Sequence, residues 1–248
     1  MDSGSSHQAL SRAFADQNGL VAQPVGTGRD HAGQAVAVAR AEPATWEIGG
    51  QAWRDEETVI VPAPPAFAPL GIIGFLSPQH CLKRGYVVLD FPGQRLRLVE
   101  APDRPALAAW LQQEYAGSSA LDLPRVTGPS ARKIYVQASL AGQPAVEAEL
   151  DTGGSRTEFD ASLLPAVTAQ APTSQGVAVS GASTAAPLHA NQTVQVGGHA
   201  FAGLQVKARQ PGAAPRALLG ADLLRQTVLV LPADPAEPLI LLPASPGA

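Results

Sequence analysis

Two short segments of this chain carry the residue types for carboxylate chemistry. Asp2-Ser3-Gly4-Ser5-Ser6 and Asp151-Thr152-Gly153-Gly154-Ser155 each set an aspartate ahead of a hydroxyl residue and a glycine, 149 positions apart. Alone, such a tripeptide serves any β-turn, because Asp and Ser bond the local backbone and Gly supplies positive φ. Two of them offer more. Two carboxylates within hydrogen-bond distance cannot both ionise cheaply, so one pKa rises and the pair shares a proton. The ionised member can take a proton from a bound water while the protonated member polarises a carbonyl, which hydrolyses an amide without a covalent intermediate. The glycine lets the backbone turn tightly and its amide can donate to the carboxylate, while the hydroxyls of Ser3 and Thr152 can brace the loops against each other. Such a pair titrates as a unit, so neither Asp2 nor Asp151 is assigned the acid or the base alone.

The segments belong to a longer internal repeat. Thr45-Trp46-Glu47-Ile48-Gly49-Gly50-Gln51-Ala52-Trp53 answers Thr193-Val194-Gln195-Val196-Gly197-Gly198-His199-Ala200-Phe201 at an offset of 148. Ile72-Ile73-Gly74 answers Leu218-Leu219-Gly220 at an offset of 146. Three landmarks in order argue for two homologous lobes.

The elements that must position the aspartates read as strands. With 24 Gly and 23 Pro among 248 residues, and no period to either, a helical bundle is excluded and short strands joined by turns are expected. Strand-length apolar or alternating runs are Ala35–Ala39, Thr58–Val61 and Tyr86–Leu89 in the first lobe. In the second they are Tyr135–Leu140, Val177–Val179, Val194–Val196 and Thr227–Leu231. Both Gly-Gly pairs sit where a two-residue hairpin turn needs positive φ. One helix is expected: Asp103 caps a segment opened by Pro105, with Leu107, Trp110, Leu111 and Tyr115 on one face and Gly117 beyond its end. The organisation is therefore a first lobe over 1–100, a connection over 101–130 and a second lobe over 131–248.

At the duplicated Asp-Ser/Thr-Gly, each followed about 70 residues later by hydrophobic-hydrophobic-Gly, the chain resembles the aspartic proteases of the retropepsin and pepsin type. The resemblance covers nearly the whole chain. It implies an all-β fold of two lobes with a cleft between them, catalytic Asp2 and Asp151 at the cleft floor, and loops supported by Ser3, Gly4, Ser5, Thr152, Gly153 and Ser155. It implies a structural motif at Ile73-Gly74 and Leu219-Gly220, and glycine-bearing flap hairpins. The flap candidates are Gly26, Gly28 and Gly33, and in the second lobe Gly176 and Gly181. Neither flap stretch holds a tyrosine, and Trp46, the nearest aromatic, is expected to pack inside its lobe. The implied activity is endopeptidase on an extended peptide or protein, with no metal and no organic cofactor. The rival class is a catalytically impaired peptide-binding or interaction protein. A third reading pairs the second lobe between chains as an obligate dimer.

One departure from that pattern concerns the first lobe. A hydrophobic strand, Ala145–Leu150, leads into Asp151, whereas only Met1 precedes Asp2. The expectation is a first lobe lacking the counterpart of 133–150, weakly active and prone to self-association, although a monomer is otherwise expected. An upstream leader would make the protein periplasmic or secreted; the sequence itself gives no location.

Other chemistries find little support. Seventeen basic against 21 acidic residues give a net charge of −4 without a basic block, which argues against nucleic acid. The apolar stretch from Ala66 to Leu76 is too short to span a bilayer. His7, His31, His80, His189 and His199 lack metal-ligand spacing. Cys81, the single cysteine, can form no internal disulfide and reads as a small buried residue. Gly26-Thr27-Gly28 lacks the lysine of a phosphate loop and reads as part of a hairpin. Ser5, Ser6 and Ser155 belong to no Gly-x-Ser-x-Gly elbow and are expected to hydrogen-bond around the carboxylates. Asp90, Asp160 and Asp222 read as turn or capping residues, and Arg54-Asp55-Glu56-Glu57 as a solvated loop.

Overall fold

The computed structural model describes residues 1–30, 32–48, 51–55, 57–82, 84–166 and 171–244. The Gly49-Gly50 turn, His31 and Glu56 lie outside the described residues. The chain is mostly strand, as its turn-rich composition predicts, and no described helix is long and apolar enough to cross a membrane.

The first half runs β1 (Ala9–Ser11), α1 (Arg12–Gln17), β2 (Ala22–Arg29), β3 (Ala35–Ala41), β4 (Ala44–Ile48), β5 (Gln51–Asp55), β6 (Val59–Val61) and β7 (Gly74–Phe75). Five of these strands form a sheet in the order β2-β3-β6-β1-β7, and β4 pairs with β5 as a separate hairpin. Then come β8 (Tyr86–Asp90), β9 (Arg95–Val99), α2 (Arg104–Glu114) and β10 (Leu121–Leu123). The second half runs β11 (Tyr135–Leu140), β12 (Val146–Leu150), β13 (Glu158–Asp160), β14 (Thr173–Val177), β15 (Ser183–Val196), β16 (His199–Arg209), β17 (Ala217–Leu219), α3 (Ala221–Leu224), β18 (Thr227–Pro232) and β19 (Leu239–Pro243). Its main sheet is ordered β11-β12-β17-β13-β16-β15-β14.

A third sheet joins the halves in the order β10-β19-β18-β8-β9. Its central strand β18 is buried along its whole length, and its sequence explains how. Side chains alternate between faces, so Val228 and Val230 meet Leu107 and Leu111 of α2, while Leu229 and Leu231 enter the large core of the second half. Helix α2 starts where the sequence places it: the Asp103 carboxylate accepts from the Ala106 amide at 2.9 Å. Its Leu107 and Leu111, four apart, are the buried stripe.

The repeat is visible in strand registers. β1 runs parallel to β6 with Ala9 opposite Val59, and β13 runs parallel to β16 with Glu158 opposite Lys207. β1 is antiparallel to β7 with Ala9 opposite Phe75, and β13 is antiparallel to β17 with Glu158 opposite Leu218. These registers correct one expectation. The equivalent of Leu218-Leu219-Gly220 is Phe75-Leu76-Ser77, not Ile72-Ile73-Gly74. Ile73 is 50% exposed and lends only its carbonyl, to the Ser11 amide, whereas Leu219 is fully buried. A second correction concerns Val177–Val179: the strand ends at Val177, and the Ala178 amide turns back to the Ala182 carbonyl at 2.9 Å.

The halves differ in depth. A cluster of 25 buried side chains fills the second half and reaches β8, while the first half's own described cluster holds five: Leu10, Ala15, Ala39, Ala41 and Ile60. Trp46 packs against that small cluster and donates through Nε1 to Thr58 Oγ1 at 2.9 Å. In the second half, β12 and β11 continue the sheet beyond β17; among the described residues, no strand flanks β7 beyond β1.

Candidate active site

Asp151 follows directly on β12, whose ladder with β11 and β17 fixes the chain up to Leu150. Its amide donates to the Leu219 carbonyl at 3.0 Å. Asp2 is held in the same way, its amide on the Leu76 carbonyl at 2.9 Å. The two carboxyl groups meet and share a hydrogen bond.

Both motif glycines are there for a steric reason. A Cβ on Gly4 would come within 2.6 Å of Asp151 Oδ1, and one on Gly153 within 2.6 Å of Asp2 Cγ. Each loop thus leaves room for the other loop's carboxylate, which only glycine can do. The hydroxyls brace the pair across the halves. Ser3 Oγ donates to the Leu150 carbonyl at 2.7 Å and accepts from the Thr152 amide at 3.0 Å. Thr152 Oγ1 accepts in turn from the Ser3 amide at 3.0 Å.

The loops are unequal electrostatically. Asp151 Oδ1 accepts from the Gly153 and Gly154 amides, both at 2.9 Å. Asp2 has no such donor among the described bonds, and its pKa is pushed up to about 7 by burial and then by the neighbouring charge of Asp151. The pair therefore holds one proton between its two carboxyls into the neutral range, while the Gly153 and Gly154 amides address only the Asp151 side.

Behind each loop a polar clamp holds the turn, and the two clamps use different side chains. In the second half the Gly220 amide donates to Thr157 Oγ1 at 3.2 Å, and the Ala221 amide donates to the Gly154 carbonyl at 2.7 Å. In the first half the Ser77 amide donates to Gln8 Oε1 at 2.8 Å. Ala221 is replaced there by Pro78, which has no N–H. Ser77 Oγ and Gln79 Nε2 supply the missing donors to the Ser5 carbonyl, at 2.8 and 3.1 Å. Ser77 and Gln79 are thus site residues that the sequence reading missed; no local pattern marks them.

Of the serines around the carboxylates, Ser5 and Ser6 bond within their own loop. Ser5 Oγ donates to the His7 carbonyl at 2.7 Å, Ser6 Oγ meets His7 Nδ1 at 2.9 Å, and Ser155 faces solvent. The expected Ile73-Gly74 pair is also not at the site: Gly74 lies inside β7, pressed against the Ala9 backbone.

A cavity of about 540 Å³ opens above the dyad and is lined by both halves. The β2–β3 hairpin hangs over it from one side, with Gly26 at a bulge, Gly28 opposite Val36, and Gly33 in the turn at φ +74°. The β14–β15 hairpin faces it, with Gly176 opposite Thr184 and Gly181 in the turn at φ +83°. The hairpins touch at their tips, where the Ser180 amide donates to Asp30 Oδ2 at 3.0 Å. Burial alone would raise the Asp30 pKa, but bonds from Ser180 and Gln34 hold it below the usual range.

The cavity wall also holds Lys133, Glu149 and Arg209. Glu149 lies two residues before Asp151, hence on the same face of its strand, and its carboxylate accepts from Lys133 Nζ at 2.8 Å. Burial raises its pKa, against the pull of Lys133. Burial, and then Arg132 nearby, lower the pKa of His7, which is also on the wall. Among the described residues, no cluster of His, Cys, Asp and Glu is arranged to hold a metal ion.

No protein-family model matches this chain, and a search of curated proteins likewise finds no match.

Proposed function

We propose that the protein is an aspartic endopeptidase that hydrolyses peptide bonds in an extended chain lying across the dyad, with the two halves acting as the lobes of such an enzyme. The observation that carries this reading is the pair of carboxyls sharing a hydrogen bond at the base of a cavity, each seated over the other loop's glycine. The ionised member of the pair takes a proton from a bound water. The protonated member donates to the scissile carbonyl as the water attacks, and proton return to the leaving nitrogen completes the hydrolysis. The flap hairpins, joined by Asp30 and Ser180, must part to admit a peptide and can then close over it, excluding bulk water.

A second reading, peptide capture without turnover, is favoured by one feature: the Asp2 loop is carried by a half whose own described core is five side chains. Asp151→Asn separates the two. Substitution preserves shape and removes one half of the acid–base pair, so turnover of an oligopeptide mixture should be lost while circular dichroism and peptide affinity stay unchanged. Turnover that survives in this variant would sink the dyad mechanism. Absence of turnover in the unaltered protein, with affinity intact, would establish capture alone.

A further inference from the structure

The two sides of the cavity above the dyad differ in chemistry at positions related by the internal repeat. Val59 and Val61 of β6 line the first wall, beside Val36, Val38 and Phe75. By register, the counterparts of Ala9, Val59 and Val61 are Glu158, Lys207 and Arg209. Three apolar positions in one half are thus three charged positions in the other.

The charges do not balance. Lys207 Nζ and Arg209 Nη1 share Glu158, at 2.9 and 3.3 Å, and Lys133 pairs with Glu149 at 2.8 Å. This described cluster holds three cations and two carboxylates. Arg209 Nε is buried without a hydrogen-bond partner. The single charge of the dyad does not supply the counter-ion, since Asp151 is already engaged by its own loop amides. A buried cation short of an anion is costly, and a guanidinium is shaped to bind a carboxylate.

We infer that the second-half wall, at Arg209 and Lys133, is a subsite for an acidic side chain, while the first-half wall takes an apolar one. A substrate then carries an apolar residue on one side of the dyad and aspartate or glutamate on the other. The raised pKa of Glu149 adds to the preference, because any protonation of that carboxyl leaves the wall more positive.

This rests on the cleft binding an extended peptide, and the test keeps the two readings apart. Peptides made uncleavable by a reduced amide at the central bond carry leucine on one side and glutamate, glutamine, lysine or leucine on the other, in both orientations. Dissociation constants are measured by calorimetry on the full chain. Glutamate should bind about tenfold tighter than glutamine, as a charge-assisted bond exceeds a neutral one, and lysine should bind weakest. Arg209→Met should erase that preference, and Lys133→Met should reduce it. Equal binding of glutamate and glutamine peptides by the unaltered protein, or tighter binding of lysine, overturns the subsite without recourse to a variant. Binding of none of the peptides overturns both readings. A glutamate preference without hydrolysis of the ordinary amide counterparts upholds the subsite and removes the endopeptidase. Hydrolysis without the preference does the reverse.

Discussion

The two aspartate loops use one plan with different fastenings, and the difference sets two identical groups in unlike surroundings. Asp151 stands at the end of a strand laddered on both sides, and two amides address its carboxylate. Asp2 leans on the Leu76 carbonyl, and its turn is held by the side chains of Gln8, Ser77 and Gln79. Two copies of one loop come to differ because their surroundings have diverged, with the chemical group unchanged. The same divergence runs up the cavity walls, where Val59 and Val61 stand at the positions that Lys207 and Arg209 hold in the other half.

The largest expected effect tests whether the two aspartates are equally necessary. Asp2→Asn and Asp151→Asn should each reduce kcat/KM on a cleaved peptide by about a thousandfold or more, since each removes one half of the acid–base pair. A variant retaining a tenth of the activity would show that one carboxyl works alone. The pH dependence sharpens the comparison. Activity should fall above about pH 7 as Asp2 loses its proton, by about tenfold per unit once the pair is doubly ionised. A rate that climbs through pH 9 would contradict a mechanism that needs the pair's shared proton.

Stability carries the same signature. The folded-state pKa of Asp2, about 7, lies above the ordinary 3.8, so between those values the native state binds more protons than the unfolded chain. Stability attributable to this group is present in full below pH 4 and declines as pH rises towards 7. In Asp2→Asn this decline should vanish. In Asp151→Asn part of it should remain, because burial is the larger cause of the shift and the charge of Asp151 the smaller. Urea melts at pH 4.5 and 7.5 for the three proteins decide the point; an unchanged decline in Asp2→Asn would show that another group is responsible.

The cross-brace offers a smaller contrast. Ser3 Oγ is fully buried with one bond given and one received, so Ser3→Ala leaves two backbone groups unsatisfied and should cost about 1–3 kcal/mol. Thr152→Val removes one acceptor from a less buried place and should cost about 1 kcal/mol. Equal losses would mean that the brace is symmetric after all.

Which of these parts the sequence could disclose follows from the range of the interactions. The Asp-Ser/Thr-Gly turns are local chemistry, and their residues declare themselves. So do α2, written in Asp103, Pro105 and the spacing of Leu107 and Leu111, and the strands with strong alternation such as β11 and β18. The misaligned Ile72-Ile73-Gly74 shows where local reading fails. At the position matching Gly220 a Cβ would strike the Arg156 backbone, which makes glycine obligatory in the second half. The first half places Ser77 there and uses its hydroxyl as a donor, so the glycine that would mark the motif is gone and a neighbouring glycine took its place in the alignment. Lys133, Glu149 and Arg209 carry no local signal for another reason: Lys133 meets Glu149 across the β11–β12 hairpin, and Arg209 meets Glu158 from a strand 51 residues away. β10 is three residues long, Leu121-Asp122-Leu123, too short to announce that the interlobe connection adds an edge strand.

The smallest effect concerns the flap tips, where the halves again contribute unlike partners to one bond. The first hairpin provides a carboxylate, Asp30, and the second provides the Ser180 amide, 3.0 Å away. Asp30 also accepts from the Gln34 amide at 2.9 Å, so it organises its own turn while holding its neighbour. Its depressed pKa means that the bond persists through mildly acid solution. The site is exposed, and contacts of this kind contribute less than about 1 kcal/mol, so global stability is a poor readout. Local exchange is a better one: Asp30→Ala should raise the hydrogen-exchange rate of the Ser180 amide by about fivefold, the factor corresponding to loss of about 1 kcal/mol of local protection. Ser180→Ala keeps the amide and should leave exchange at that position nearly unchanged. Should Asp30→Ala leave the Ser180 amide as protected as before, the two hairpins are held together by something other than this bond, and the asymmetry between the halves stops short of the flaps.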